Sequence, residues 1–180
     1  MRWTGNGECK VDGYEILCSG RDDDNHRSGV GFCLTDKACR ATESFTSISE
    51  RLAKIIVQSK WFKLSIITAY SSTEENDDTE KDDIYEKIQE IVELTPRHDL
   101  ILLLGDFYTK IGHEVDALGP AIGRNSAHGN SSKNGIRFTS FANSNRMVAC
   151  DTIFLHKAID KHTWNSSDGN TSDQIDHILI

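Results

Sequence analysis

The stretch that most constrains this chain of 180 residues is a run of five apolar residues, Leu100–Leu104, that ends in Gly105 and Asp106. The run is too short for a membrane span and too closely bounded for a long helix, so it predicts a strand buried on both faces. Ligands of α/β proteins commonly bind where such strands end. Gly-Asp is also a common turn pair, so on this stretch alone a simple turn and a catalytic carboxylate are equally consistent with the sequence.

The length predicts a single domain, 1–180, with a sizeable core. An apolar content of 37% and a charged content of 27%, without any apolar run of membrane-spanning length, are typical of a soluble globular protein. Residues 1–20 lack the apolar segment of a signal peptide, so we expect a nuclear or cytoplasmic protein that is not secreted. Five cysteines without a C-x-x-C pair predict buried free thiols rather than a zinc site or a disulfide framework.

The net charge of −8 is concentrated in one stretch, because residues 74–93 hold ten acids and two bases. Thr79 and Asp82 have the spacing of a capping box, and Thr95-Pro96 ends the apolar periodicity that follows, so this stretch predicts an amphipathic helix. We interpret the acidic cluster as a solvated helix face and cap rather than as a functional patch. The acidic total predicts weak non-specific binding to nucleic acids.

The remaining chain predicts short strands with few helices. Residues 52–57 and 64–69 are β-branched runs that predict a hairpin. Residues 135–143 predict a helix, residues 147–154 predict a strand, and residues 36–47 are too polar to predict a regular element. Mixed strands with two clear helices favour an α+β fold or a layered sandwich.

Ten stretches spread along the chain match one known superfamily and keep its order. They are R-W-T-G, V-D-G-Y, G-V-G-F, R-L-A-K-I, K-L-S-I-I-T-A-Y, Y-E-K-I-Q-E-I, P-R-H-D-L-I-L-L-L-G-D-F, K-N-G-I-R-F, H-K-A-I-D-K-H-T-W and D-Q-I-D-H-I-L-I. In these stretches the sequence resembles the endonuclease/exonuclease/phosphatase superfamily, most of all the apurinic-type endonuclease domain of LINE-type (non-LTR) retrotransposons. It is also similar to the cellular proteins called craniofacial development protein 2-like.

This resemblance implies a four-layer α/β/β/α sandwich and Mg²⁺-dependent hydrolysis of a phosphodiester. Such chemistry uses a cation to polarise the phosphoryl oxygens, a carboxylate to orient or deprotonate water, and donors to hold the phosphate. The partner that the resemblance implies is DNA, bound weakly by this chain. We expect a monomer without a membrane partner.

The resemblance also assigns roles to individual residues. Asp106 matches the aspartate that positions the attacking water, Tyr70 matches the tyrosine that binds the scissile phosphate, and Asp176 matches the aspartate that orients the catalytic histidine. Trp164 falls near the aromatic residues that line the DNA pocket, although a packed core indole is equally consistent with its sequence. Asn134 matches an asparagine that opens a helix, in a substrate-binding or a structural role.

The chain departs from the family pattern in three ways. Tyr108 stands where the family has asparagine after Gly-Asp-Phe, and a ring there should crowd the water or phosphate that the preceding aspartate serves. The family has its metal-binding glutamate just before Arg-Trp, whereas here Met1 directly precedes Arg2-Trp3. The family's catalytic Ser-Asp-His motif would follow Ile180, the last residue of the given sequence. We therefore expect a domain incomplete at both termini, without the family's metal ligand, in which His177 is not the catalytic histidine.

These observations predict a DNA endonuclease domain of retrotransposon origin that is catalytically impaired. A second hypothesis is a non-catalytic nucleic-acid-binding or protein-interaction module retained from a domesticated retroelement. A phosphoinositide or sphingolipid substrate, as in other branches of the superfamily, fits the motifs less well. An unselected retrotransposon fragment without a function is the last alternative.

Overall fold

The computed structural model describes residues 5–23 and 28–180, apart from the side chain of residue 158. The chain forms two compact units, which are described separately. The first unit comprises residues 1–70 and 86–103, and the second comprises residues 71–85 and 104–180. The R-W-T motif at residues 2–4 lies outside the described residues.

The first unit begins with an antiparallel sheet of three strands: β1 (Gly7–Val11), β2 (Tyr14–Gly20) and β3 (Gly29–Thr35), in that order. The β1–β2 turn uses Asp12 and Gly13, both at positive φ (51° and 81°), as a tight hairpin of two central residues requires. In β3, a Cβ added at Gly31 would overlap the carbonyl oxygen of Leu17 in β2. The alternation of small and apolar residues in β3 therefore reflects close backbone packing.

The segment that the sequence left irregular is regular, so that prediction was wrong. Helix α1 (Asp36–Ala41) begins after Thr35, whose side-chain oxygen accepts a hydrogen bond from the N–H of Ala38 at 3.3 Å. Strand β4 (Thr42–Ser49) follows directly. Because β4 is the edge strand of its sheet, its Ser and Thr side chains can face solvent, and its apolar signal is weak.

The predicted hairpin is confirmed as β5 (Leu52–Gln58) and β6 (Lys63–Tyr70), which pair from Leu52↔Ala69 to Gln58↔Lys63. In the first unit, β4, β5, β6 and the first part of β7 (Leu100–Asp106) are neighbours in that order. One face of this sheet packs against the three-stranded sheet through a buried cluster of apolar residues: Leu17, Val30, Phe32, Leu34, Ala53 and Ile55. Two sheets packed face to face form the core of the first unit.

Helix α2 (Asp78–Leu94) and strand β7 (Leu100–Asp106) each begin in one unit and end in the other. The C-terminal end of the helix is as predicted, where the Thr95 hydroxyl donates to the Ile91 carbonyl at 2.7 Å. The predicted capping box was wrong, because the helix begins at Asp78 and Thr79 lies inside it. The prediction that the apolar run of β7 is buried on both faces was wrong: Leu103 is fully buried, whereas Leu100 is 47% exposed. The strand begins at an exposed residue, and its residues on either side of Leu103 are half-buried.

The remaining elements belong to the second unit: α3 (Val115–Leu118), α4 (Lys133–Ser144), α5 (Cys150–Ile153), α6 (Ala158–Lys161), β8 (Trp164–Asn165), β9 (Ser172–Asp173) and β10 (Asp176–Leu179). Strand β10 is the neighbour of β7. The predicted helix at 135–143 is confirmed as α4, which begins after its N-cap, Ser132.

The predicted strand at 147–154 was wrong beyond its first residues. Val148 exchanges two backbone hydrogen bonds with Ile180, at 2.8 and 3.1 Å. Thr152 then donates to the Ala149 carbonyl from both its N–H, at 3.0 Å, and its hydroxyl, at 2.7 Å. These two bonds close a helical turn, so the chain continues as α5 instead of following β10.

The α/β class that the sequence predicted is confirmed. All five cysteines are free thiols, but only Cys18 is buried, so the expectation of buried thiols was wrong for the others. Among the described residues, no helix is long and apolar enough to cross a membrane.

Two glycines that both pair with Cys18 test the close packing of β2 and β3. Gly31→Ala should lower the free energy of unfolding by about 1–3 kcal/mol, because its methyl group overlaps the Leu17 carbonyl. Gly7→Ala is the matched control, since an added Cβ there meets nothing within 4 Å. Urea unfolding of both variants checks this, and equal midpoints for the two would contradict it.

Candidate active site

The candidate site lies at the end of β7 in the second unit, where Asp106 is half-buried. Its carbonyl accepts the N–H of Ser71 at 2.8 Å, and the N–H of Phe107 donates to the carbonyl of Ile175 at 3.1 Å. The end of β7 is thus held between the segment that begins at Ser71 and the segment that leads into β10. Asp176, the first residue of β10, is also half-buried.

Both aspartates precede a buried aromatic residue. Phe107 and His177 are buried, and Phe138 of α4 packs against both rings, with centroids 4.9 and 5.1 Å away. Successive side chains of an extended segment point in opposite directions. Anchoring Phe107 and His177 in the core therefore turns Asp106 and Asp176 towards its rim.

The Asp106 carboxyl is held in an unusual electrostatic environment. Burial, the largest effect, and the nearby Asp176 carboxylate raise the pKa of Asp106 from 3.8 to about 6. The Tyr108 N–H, which donates to Asp106 Oδ1 at 3.1 Å, and the charge of His177 oppose this rise. A carboxyl with such a pKa exchanges protons close to neutral pH, which is a property of general acids and bases.

Tyr108 has a backbone conformation that suits asparagine better than tyrosine. Its φ is 48°, in the left-handed region that Asn adopts several times more often than most side chains. This conformation brings the Tyr108 N–H back to Asp106 Oδ1 and turns its carbonyl to Asn134. The backbone at this position therefore matches the asparagine of the family pattern, although the side chain does not.

Asn134 ties together the two loops next to the site. It is buried near the start of α4, and its Nδ2 donates to the carbonyls of Ser72 at 3.3 Å and Tyr108 at 3.2 Å. Its N–H lies 3.4 Å from Glu74 Oε2. Its Oδ1 has no partner among the described residues. These contacts support the structural alternative for Asn134.

His177 uses both ring nitrogens inside the protein. Nε2 lies 2.8 Å from the Thr109 carbonyl, which can only accept, so Nε2 carries a proton. Nδ1 lies 2.7 Å from the Asp151 carboxylate. A buried ring with both nitrogens engaged has none available for substrate, in agreement with the expectation that His177 is not catalytic. Asp151 was missed by sequence reasoning, because an isolated aspartate in C-D-T-I carries no recognisable signal.

The other two predicted residues have separate surroundings. Tyr70 ends β6 in the first unit, where its ring lies 5.4 Å from the Arg51 guanidinium. Trp164 lies on β8 opposite Asp173 of β9 and is 43% exposed, so it is not a packed core indole. The preceding Thr163 accepts the N–H groups of Ile175 and Asp176, at 3.1 and 3.2 Å, with its hydroxyl oxygen. The position of Thr163 therefore affects the position of the Asp176 backbone.

The residues that the structure describes do not form a metal site by themselves. Within 5–23 and 28–180, no three His, Cys, Asp or Glu side chains converge as metal ligands. Two neighbouring carboxylates supply fewer ligands than Mg²⁺ takes. Magnesium binding therefore stays a prediction.

Comparison with curated proteins finds relatives that match almost the whole chain. The chain is 30% identical to craniofacial development protein 2 of Bos taurus and 29% identical to that of Tragulus javanicus, each over 99% of its own length. It spans 30% of the length of each relative. The resemblance to these proteins is thus confirmed. A scan against protein-family models finds no match.

Solved structures show the same fold. The endonuclease domain of TRAS1, a telomere-specific non-LTR retrotransposon, superposes with a TM-score of 0.61 at 8% identity, covering 94% of this chain and 65% of that domain. An endonuclease/exonuclease/phosphatase family protein from Leptotrichia buccalis gives a TM-score of 0.55 at 17% identity, covering 94% of this chain and 61% of that protein. The predicted sandwich fold of this superfamily is confirmed.

The raised pKa of Asp106 predicts a pH-dependent effect of Asp106→Asn. The folded protein holds this proton more tightly than the unfolded chain does, so the stability it contributes is present below about pH 4 and lost as the pH rises through about 6. Asn binds no proton. As the pH rises from 4 to 7, the free energy of unfolding of the variant should therefore increase by roughly 1 kcal/mol relative to that of the parent, a value reduced for solvent screening. Thermal unfolding across this range checks it, and a difference independent of pH would contradict it.

Proposed function

We propose that this chain, which belongs to the endonuclease/exonuclease/phosphatase superfamily, binds DNA and acts on its phosphodiester bonds at the end of β7, with an activity that Tyr108 keeps low. The observation that carries this proposal is the half-buried Asp106 carboxyl, with a pKa raised to about 6, beside the carboxylate of Asp176. The similarity to craniofacial development protein 2 and the fold of the TRAS1 endonuclease domain support a retrotransposon origin.

Asp106 has the properties that a water-activating base needs. Its Oδ1 accepts the N–H of Tyr108, which leaves Oδ2 for water among the contacts of the described residues. In its ionised form, Oδ2 would orient the attacking water and accept its proton. Because the pKa lies near 6, the base is ionised at neutral pH and still binds a proton readily.

Three further residues carry roles that the resemblance proposes. Tyr70 would bind the scissile phosphate through its hydroxyl, and Asp176 would orient a catalytic histidine. Trp164, which is 43% exposed, is accessible for contact with a nucleotide base, and exposed aromatic rings are commonly used for stacking. Mg²⁺ would supply charge neutralisation at the phosphate when bound.

Tyr108 is the residue that argues for low activity. An asparagine would present two amide donors and one acceptor in a small volume, whereas tyrosine presents one hydroxyl at the far end of a ring. The Tyr108 backbone is fixed beside Asp106 by the hydrogen bond to Oδ1, so its ring begins close to the water that Asp106 would serve. The same residue supports the second candidate function, a nucleic-acid-binding module that does not cleave.

Exchanging the ring at position 108 tests this account. In a chain extended to carry the family's metal-binding glutamate and Ser-Asp-His motif, Tyr108→Asn should raise Mg²⁺-dependent nicking of supercoiled plasmid by roughly ten- to a hundredfold, because it restores amide donors and removes the ring. Tyr108→Phe retains the ring without its hydroxyl and should stay as slow as the parent. Adding Asp106→Ala to Tyr108→Asn should abolish the gain.

The same samples separate the two candidate functions. A gel shift that weakens as salt is raised measures DNA binding independently of cleavage. Binding without nicking in every variant would favour the non-catalytic module. Absence of binding at low salt would contradict both functions, and rapid nicking by the parent chain would contradict the role given to Tyr108.

A further inference from the structure

The Asp151 carboxylate in α5 gathers three hydrogen bonds from one short segment. Its Oδ2 accepts from Gln174 Nε2 at 2.9 Å and lies 2.7 Å from His177 Nδ1. Its Oδ1 accepts the N–H of Ile178 at 3.3 Å. These partners flank Asp176 on both sides along the chain, so one carboxylate holds a side chain before that residue and a side chain and a backbone N–H after it.

These contacts require an aspartate rather than another small polar side chain. An ionised carboxylate offers about four lone-pair sites, which is enough for three donors. An asparagine would accept with one oxygen only and would direct its own amide hydrogens at a donor. Alanine would leave all three groups without this partner. The geometry is therefore selective for a carboxylate at position 151.

Two further contacts hold the chain around Asp176. The hydroxyl oxygen of Thr163 accepts the N–H groups of Ile175, which precedes β10, and of Asp176, which begins it. His177 is fixed in turn by the Thr109 carbonyl and by packing against Phe138. Asp151 thus completes a set of contacts that fix β10 around the Asp176 carboxylate without touching that carboxylate.

We propose that Asp151 is the positioning residue of the candidate site, because its hydrogen bonds to Gln174, His177 and Ile178 set where the Asp176 carboxylate stands relative to Asp106. The inference rests on the proposed function only for the chemical roles of Asp106 and Asp176. The placement of the pair is a property of the free protein and is measurable without DNA or cleavage.

The test follows the Asp106 carboxyl by carbon-13 NMR during a pH titration of the folded chain. In the parent, the midpoint should lie at about pH 6, partly because Asp176 is close. In Asp151→Ala, a displaced Asp176 should lower the midpoint by about half a pH unit or more. Asp151→Asn, which keeps part of the hydrogen bonding, should give a smaller fall.

Asp160→Asn is the matched control. Asp160 is an exposed carboxylate that lines the same pocket of about 560 Å³ as Asp151 and Asp176, so this variant removes a nearby charge while β10 keeps its hydrogen bonds. It should leave the Asp106 midpoint within about 0.2 pH units of the parent. An equal shift in this variant would overturn the proposal, because loss of charge alone would then explain the result.

A second variant protects the test against misfolding. Thr163→Val removes the acceptor of the Asp176 N–H from the other side and should lower the Asp106 midpoint in the same direction. If Asp151→Ala does not fold, as judged by circular dichroism, Asp151→Asn and Thr163→Val decide the result. Midpoints unchanged from the parent in the folded variants would overturn the positioning role. If DNA binding and nicking are absent while the midpoints shift as expected, the proposed function is contradicted and the positioning role is not.

Discussion

The candidate site depends on the packing of three rings in the second unit. Phe138 of α4 lies between Phe107, which follows β7, and His177 of β10. Fixing these two rings fixes the residue before each of them, and in both cases that residue is an aspartate. The core thus brings Asp106 and Asp176 to the same rim although they are 70 positions apart in the chain. An apolar contact determines the position of the polar chemistry.

The cost of this arrangement is electrostatic. Two half-buried carboxylates repel each other and lose hydration, which appears as the raised pKa of Asp106. The hydrogen bond from the Tyr108 N–H to Asp106 Oδ1 and the charge of His177 offset part of this cost. Functional sites commonly retain such unfavourable groups because their chemistry needs them. This is the physical reason for interpreting the pair as a reactive site rather than as a turn.

Part of the acidic cluster at residues 74–93 has a structural role in the second unit. Arg137 of α4 pairs with Asp82 at 2.7 Å and with Asp78 at 3.3 Å in the first turns of α2. Lys81 donates to the carbonyl of Glu74 at 2.7 Å. The start of α2 is therefore connected to the helix that carries Phe138, so the interpretation of this cluster as a solvated face and cap needs one addition, its contact with Arg137.

The sequence could predict the elements whose signals are local. The β5–β6 hairpin, the C-terminal end of α2 and the body of α4 follow from strand propensity, the Thr95-Pro96 stop and apolar periodicity. It could not predict three elements whose formation depends on contacts. Helix α1 begins where the Thr35 side chain caps it, β4 lies at the edge of its sheet, and α5 begins with the hydrogen bonds of Thr152. Asp151 was also beyond prediction, since its importance arises from three donors that come from residues 174–178. The resemblance identified Asp106 and Asp176, whereas the structure explains why they meet.

The central claim is that Asp106 and Asp176 form an interacting pair in the folded chain. A double-mutant cycle of unfolding free energies with Asp106→Asn and Asp176→Asn measures this interaction directly. At pH 8, where Asp106 is ionised, the two single effects should sum to more than the double effect by roughly 0.5 kcal/mol or more, because repulsion is relieved only once. At pH 4, where Asp106 is protonated, this excess should vanish. Single effects that add within about 0.3 kcal/mol at pH 8 would contradict the account.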